Sequence, residues 1–88
     1  MMHIENALDY QATNHRLSPW LRVTLWAMAN ADGHGRARAY PGQLREMLDT
    51  TPHEVSRAIR LAKDRRLLHE SSHAGCLVLI GYTQEVAS

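Results

Sequence analysis

The chain lacks the features that stabilise most secreted and membrane proteins. Its 88 residues include a single cysteine, Cys76, so no disulfide can form within the chain; this is usual for a protein of the reducing cytosol. No apolar run approaches the roughly 20 residues of a transmembrane helix. The N-terminus also lacks the basic start and apolar run of a signal peptide. These absences predict a cytoplasmic protein without a membrane partner.

Catalytic and metal-binding patterns are scarce as well. The sequence contains no glycine-rich phosphate loop and no pairing of a nucleophile with a base around Cys76. Six histidines are present but scattered, whereas a zinc site requires three or four ligands at defined spacing. We therefore expect a protein that is not an enzyme and that carries no metal or other cofactor.

Charge is nearly balanced overall, with a net charge of +1 at pH 7, but it is unevenly distributed. Residues 36–66 contain eight of the ten Lys and Arg residues and four of the nine Asp and Glu residues. Nine of the ten basic residues are Arg, whose planar guanidinium suits bidentate contacts with phosphate and guanine. Because a polyanion responds to the local field more than to total charge, the middle third of the chain is a candidate for nucleic-acid binding.

The first predicted helix begins at Ser18-Pro19, a serine cap followed by proline at the first helical position. It should end near Ala31, before Asp32-Gly33. Its expected apolar stripe consists of Leu21, Leu25, Met28 and Ala29, widened by Trp20, Val23, Trp26 and Ala27. We expect the two tryptophans to be core or dimer contacts. Residues 33–41 read as a loop, and Pro41 begins a second helix that runs to about Leu48.

The third predicted helix has the clearest start, because residues 51–54 (Thr-Pro-His-Glu) form a capping box with proline at the first position. Its buried stripe at helical spacing consists of Val55, Ala58, Ile59 and Ala62. Residues 67–71 and 76–80 then predict a β-hairpin, since both runs are rich in Leu, Val and Ile around a short turn. The expected fold class is mainly α with a β-hairpin. One domain should span 17–81, between an N-terminal arm or short helix at 1–16 and a tail at 82–88.

Three helices followed by a hairpin, with a tight turn between the second and third helices, resemble the winged helix-turn-helix family over roughly residues 17–81. The resemblance is carried by Leu44, Leu48, Val55 and Ala58 at packing positions, by the Ser-Arg-Ala-Ile-Arg run at 56–60 and by Leu67-Leu68. Residues 17–41 are similar to the small helix-turn-helix proteins of actinobacteria and their phages and plasmids. This resemblance implies a three-helix domain that binds double-stranded DNA.

Four positions depart from the pattern of that family. Asp49 and Arg66 stand where glycine is common, Arg45 stands where a small residue is usual, and Thr50 replaces a common apolar residue. Aspartate tolerates the left-handed conformation less easily than glycine, so the sequence leaves the geometry of the turn open. Arg45 and Arg66 indicate either a looser motif or additional phosphate contacts.

The resemblance and the chemistry of the side chains together imply three groups of DNA-contacting residues. The base-contacting group on the recognition helix consists of Thr51, Pro52, His53, Ser56, Arg57 and Arg60. The phosphate-contacting group consists of Arg36, Arg38, Gln43, Arg45, Lys63, Arg65 and Arg66. The wing contributes Ser71, Ser72 and His73, near a phosphate or the minor groove. Arg36 and Arg38 are expected in a flexible loop.

We expect sequence-specific binding of double-stranded DNA that acts by occupancy. The protein would be a transcriptional regulator such as a repressor, or an accessory factor in recombination or replication, assembled as a homodimer or side by side on DNA. The alternative is a winged-helix interaction module that binds or inhibits a host protein. The near-neutral net charge keeps this alternative open, and local pairing of Asp32, Glu46 or Asp64 with the basic residues would weaken the case for DNA.

Overall fold

A computed structural model describes residues 10–80, which form a mainly helical fold with a two-stranded antiparallel sheet. Its elements in chain order are α1 (Pro19–Asn30), β1 (Arg36–Arg38), α2 (Gln43–Leu48), α3 (Pro52–Asp64) and β2 (Cys76–Val78). Residues 10–12 are also helical. Residues 1–9 of the predicted arm and the predicted tail at 82–88 lie outside the described residues. This architecture confirms the broad fold class that the sequence predicts.

Helix α3 forms where the sequence predicts it, because its start and its apolar face are both encoded locally. The Thr51 hydroxyl oxygen accepts a hydrogen bond from the backbone N–H of Glu54 at 3.2 Å, and Pro52 occupies the first turn. The predicted stripe is buried and consists of Val55, Ala58, Ile59 and Ala62. These four side chains anchor the helix to the core, so its opposite face is held toward solvent.

Helix α1 has the predicted boundaries, but a different face is buried. Its buried side chains are those of Arg22, Val23, Thr24, Trp26 and Ala27. Leu21, Leu25 and Ala29 are only half-buried and Met28 is exposed, so the prediction that these four residues form the main stripe is wrong. Because α1 is apolar on nearly every side, its periodicity could not select the face that packs on α3, its most extensive contact.

The sheet contains a strand that the sequence analysis did not predict. β1 pairs with β2 in the antiparallel register Arg36↔Val78, Ala37↔Leu77 and Arg38↔Cys76. Residues 33–41 are therefore not simply a loop, as we had predicted. A strand of only three residues, with Ala37 as its one apolar side chain, carries no local pattern. It forms because the more apolar β2 supplies its hydrogen-bond partners from a distant part of the chain.

The predicted hairpin is present only in a reduced form. Residues 67–71 do not form a regular strand; they meet the end of β2 at the single bridge Leu68↔Leu79, next to a 2.7 Å hydrogen bond from the His69 N–H to the Val78 carbonyl. The tight turn lies where the sequence predicts it, since 73 and 76 exchange two backbone hydrogen bonds of 3.0 Å. The projecting loop is consequently short.

Two left-handed residues determine where α2 begins and ends. Gly42, with φ of 83°, precedes Gln43, so the helix starts two residues later than predicted. Asp49 ends it with φ of 55° and ψ of 56°, the conformation that glycine adopts most easily. The chain then turns through Thr50 and Thr51 directly into α3. The tight turn between the two helices therefore forms without a glycine.

We expect Ile59→Ala to lower the free energy of unfolding by about 2–5 kcal/mol, because it leaves a cavity beneath α3. Ile59 is 4% exposed, whereas Ile80 is 46% exposed. Ile80→Ala therefore serves as the matched control and should change stability by less than about 1 kcal/mol. Chemical denaturation followed by circular dichroism measures both. Equal losses in the two variants would show that Ile59 does not face the core.

Arg66 ends α3 in a left-handed conformation, with φ of 61°. The N–H groups of Arg66 and Leu67 donate to the carbonyls of Lys63 and Ala62, the Schellman pattern in which glycine is favoured. We expect the Arg66→Gly variant to be more stable than Arg66→Ala by about 1 kcal/mol, because both remove the charge and only alanine keeps the strained Cβ. Thermal unfolding of the pair checks this, and equal stabilities would contradict it.

Candidate nucleic-acid interface

The outward side of α3 brings the predicted base-contacting residues together. His53, Ser56, Arg57 and Arg60 are all exposed, and their spacing places them along one side of the helix; we call these four residues the α3 face. Thr51 and Pro52 are exposed at its beginning. All six positions can therefore reach one external partner, and the two arginines supply forked donors near the middle of the helix.

A groove separates α3 from the loop that leads into β2. The groove consists of two adjoining cavities, each of about 170 Å³, and Ser56 and Ala74 line both of them. Lys63 and His73 line the groove toward the end of α3, and Arg45 lines it on the side of α2. The groove thus has basic groups along its length and runs directly beside the α3 face.

Arg45 lies on the exposed side of α2. The sequence raised a question here, because a small residue is usual where two such helices approach closely. The buried residues of α2 are Leu44 and Leu48, so the large side chain of Arg45 is directed away from the core and into the wall of the groove. The close approach of α2 and α3 therefore does not require a small residue at this position.

Arg36 and Arg38 are held on a strand. Both are exposed, and Ala37 between them is buried; since successive side chains alternate across a strand, the two arginines point to the same side of β1. The expectation that they lie in a flexible loop is wrong, because the pairing with β2 fixes their backbone. Two guanidinium groups are thereby presented from a rigid edge of the sheet.

Two of the carboxylates that could pair with the basic residues, Asp32 and Glu46, accept hydrogen bonds from other groups. Asp32 Oδ1 accepts from the backbone N–H groups of Arg36 at 3.1 Å and His34 at 2.8 Å. These bonds lower the pKa of Asp32 below its usual value, and the bond from the Arg36 N–H has the larger effect. Glu46 Oε1 accepts from the Tyr40 hydroxyl at 3.1 Å, which raises the pKa of Tyr40. None of these three hydrogen bonds involves the arginines of α3, although the charge of Arg38 on β1 also acts on Asp32.

Three predicted contact residues are engaged within the protein. Ser72 is 3% exposed, and its Oγ accepts from the Val78 N–H at 2.8 Å and donates to the Val78 carbonyl at 3.3 Å. The prediction that Ser72 contacts DNA is therefore wrong, because its hydroxyl is buried and already makes two hydrogen bonds within the protein. The Arg65 guanidinium carbon lies 4.3 Å from the centre of the Trp20 ring. The Gln43 side-chain oxygen accepts from the Tyr40 N–H, in the segment before α2.

The exposed residues of the loop before β2 are organised by histidine nitrogens. Nδ1 of His69 accepts from the Ser71 N–H at 3.1 Å, and Nδ1 of His73 accepts from the Gly75 N–H at 3.1 Å. An accepting Nδ1 carries no proton, so in each neutral ring the proton is on Nε2. The Ser71 hydroxyl lies 2.9 Å from the accepting Nδ1 of His69 and therefore donates to it. His73, which is exposed, is thus the predicted wing residue whose Nε2–H can still donate outward.

Arg22 has an internal role that the sequence analysis missed. It is 3% exposed, and its Nε donates to the Ala12 carbonyl at 2.7 Å while its Nη2 donates to the Met47 carbonyl at 2.9 Å. Burial lowers the pKa of Arg22, and the Asp49 carboxylate opposes that shift. A charge inside an apolar helix is an unusual signal. The sequence signal does not indicate which groups Arg22 binds, because both carbonyls are distant from it in the chain.

We expect Asp32→Asn to reduce stability at neutral pH, because an amide oxygen accepts the two N–H groups of the turn less strongly than a carboxylate. The pKa of Asp32 is lowered in the folded protein. Its contribution is therefore complete above about pH 5 and lost as the pH falls below about 4, through the folded-state pKa. Urea denaturation across this range, with Asp64→Asn as the charge-matched control, should show a difference from wild type that disappears in acid. A difference that persists at low pH would contradict the assignment.

Neither a similarity to known proteins nor a metal cluster within residues 10–80 identifies the site. Comparisons with protein families, curated proteins and solved structures gave no match to this chain. Within residues 10–80, no three His, Cys, Asp or Glu side chains are grouped so that they could hold a metal ion. The helices of that same part of the chain are too short or too polar to cross a membrane. The candidate interface is therefore defined by the α3 face, the adjoining groove and the arginines of β1.

Proposed function

We propose that this protein binds double-stranded DNA sequence-specifically through a winged helix-turn-helix domain at residues 17–81. In this proposal α2 and α3 are the helix-turn-helix, α3 is the recognition helix and the short loop before β2 is the wing. The observation that carries it is the two-sided character of α3, with four buried apolar side chains opposite the exposed α3 face. A helix supported in this way can enter the major groove with its base-reading side chains outward.

The backbone conformation at the positions that depart from the family pattern supports the proposal. Asp49 and Arg66 both take positive φ, 55° and 61°, so each adopts the conformation for which glycine is usually selected. Arg45 is exposed and leaves the approach of α2 to α3 unobstructed. These departures are compatible with the proposed motif, and they add two positive charges, at Arg45 and Arg66, and one negative charge, at Asp49.

The chemistry of the side chains divides the proposed contacts into two kinds. Arg57 and Arg60 can each donate two hydrogen bonds to guanine O6 and N7, and a good bidentate pair discriminates by about 1–3 kcal/mol. Arg36, Arg38 and Lys63 are suited to phosphates, as are Arg45 and Arg66, and such contacts position a protein without reading sequence. We propose that occupancy of the site is the activity, as a repressor, another regulator, or a recombination or replication factor, with two copies on neighbouring half-sites.

The decisive test compares Arg57→Ala and Arg60→Ala with Arg57→Lys and Arg60→Lys. A preferred duplex is selected from a random pool, and affinities for it and for random DNA are measured by fluorescence anisotropy. Alanine variants should lose about 5–150-fold on the preferred duplex. Lysine variants should keep the affinity for random DNA and still lose preference, because lysine keeps the charge without the fork. Unchanged binding by both alanine variants would reject the α3 face as the reading surface.

Arg38→Ala tests the phosphate contacts in the same assay. It should weaken binding to the preferred and random duplexes by about the same factor and reduce the slope of log affinity against log salt concentration by about 1. A loss confined to the preferred duplex would contradict a phosphate role for Arg38. Since Arg38 lies on β1 and outside α3, this variant also controls for the removal of one arginine.

A protein-interaction module is the second candidate, and the outer side of α1 favours it. Met28 is 43% exposed, Leu21 and Leu25 are half-buried, and the only charged residue of this helix, Arg22, is buried. Apolar surface without charge is typical of protein contacts, either with a second copy or with a host protein. Salt dependence separates the candidates, because binding through several phosphates weakens steeply as salt rises.

A further inference from the structure

We propose that Arg22 is a positioning residue that connects the N-terminal segment at 10–17 to the turn before α3, and thereby sets the orientation in which α3 meets DNA. The proposal rests on the proposed DNA-binding function. Its basis is one guanidinium that donates to carbonyls from two separate parts of the chain, Ala12 at 2.7 Å and Met47 at 2.9 Å. Arg22 is 3% exposed and Ala12 is fully buried, so this connection lies in the interior.

At one end, the guanidinium holds the last turn of α2. The last carbonyls of a helix have no N–H donor within the helix. The Met47 carbonyl accepts a hydrogen bond from Arg22 Nη2 instead. Two residues later Asp49 takes φ of 55°, and its carboxylate is close enough to act on the charge of Arg22. Arg22 therefore fixes the backbone at the point where the chain reverses toward α3.

At the other end, the guanidinium holds the segment that leads into α1. Backbone hydrogen bonds donated by Thr13, Asn14 and Leu17 close successive turns between residues 10 and 17. If this segment moves away, the Nε–H of Arg22 loses the Ala12 carbonyl and is left without that partner in the interior, which is strongly unfavourable. The guanidinium must then rearrange. Since the same group holds Met47, the disturbance reaches the turn before α3.

This connection makes the N-terminal segment a control point for binding. Anything that displaces residues 10–17, such as a partner that captures them, would loosen the turn without touching the α3 face. Two substitutions approach the connection from opposite ends. Arg22→Met removes both hydrogen bonds, and Ala12→Leu displaces the segment by overfilling a fully buried position while keeping Arg22 intact. Arg22→Lys keeps the charge but can no longer donate from two fixed directions.

The experiment measures two quantities on the full chain. Hydrogen exchange of the Asp49 and Thr50 amides, which donate to carbonyls at the end of α2, reports the turn in the free protein. Affinity for the preferred duplex is measured at a temperature where each variant is folded. Arg22→Met and Ala12→Leu should each accelerate exchange at these amides by about ten-fold and weaken binding by about five-fold or more. Arg22→Lys should recover part of both.

A double variant and a matched control complete the design. Because both substitutions break the same connection, Arg22→Met combined with Ala12→Leu should weaken binding no more than Arg22→Met alone. Arg16→Met removes an exposed arginine from the same segment and should leave exchange at the turn unchanged. Where Arg22→Met does not fold, Arg22→Lys and Ala12→Leu provide the same comparison.

Two outcomes separate the inference from the function on which it rests. If the variants lose stability while exchange at Asp49 and Thr50 and the affinity of the folded protein stay unchanged, Arg22 only stabilises the fold and the proposal is overturned. If exchange accelerates as expected but the wild-type protein binds no DNA under any salt condition, the connection is supported and the proposed function is rejected.

Discussion

The close packing of α1 against α3 is the constraint on which the rest of the structure depends. Ala27 of α1 and Ala58 and Ala62 of α3 are almost completely buried in the same core cluster, and such small side chains let helix backbones approach closely. Trp26 and Ile59 fill the surrounding space. A chain of this size buries a modest core, so much of its stability comes from this contact. The same contact decides which side of α3 faces water.

Arginine serves different purposes in this fold according to what surrounds it. Arg22 is buried and donates to backbone carbonyls, so its charge is used to hold the chain together. Arg65 stacks on Trp20 at the surface between α1 and α3, a contact worth about 0.5–1 kcal/mol at exposed sites. Arg57 and Arg60 extend into solvent from a supported helix. The count of basic residues therefore overstates the surface available to a polyanion, and their individual surroundings define it.

The features that could be predicted from the sequence are those set by interactions between residues close together in the chain. The start of α3 at Thr51 and Pro52 and its buried side were predictable, because a cap and a period of 3.6 residues act over a few positions. The strand β1 and the partners of Arg22 were not, because each forms through contacts with distant parts of the chain. The buried face of α1 was misassigned because the helix carries apolar side chains on nearly every side, so its pattern does not distinguish one face. Within the candidate site, the α3 face was predictable, whereas the burial of Ser72 depends on its hydrogen bonds to Val78, six residues further on, which no local pattern in the sequence indicates.

The division of α3 into two sides has an evolutionary consequence. Positions 53, 56, 57 and 60 contribute to the exposed side, while positions 55, 58, 59 and 62 maintain the core. Under the proposed function, selection for stability and selection for DNA contact would therefore act on different residues of one helix. A duplicated copy of this chain could acquire a new partner through a few substitutions while it inherited an intact scaffold.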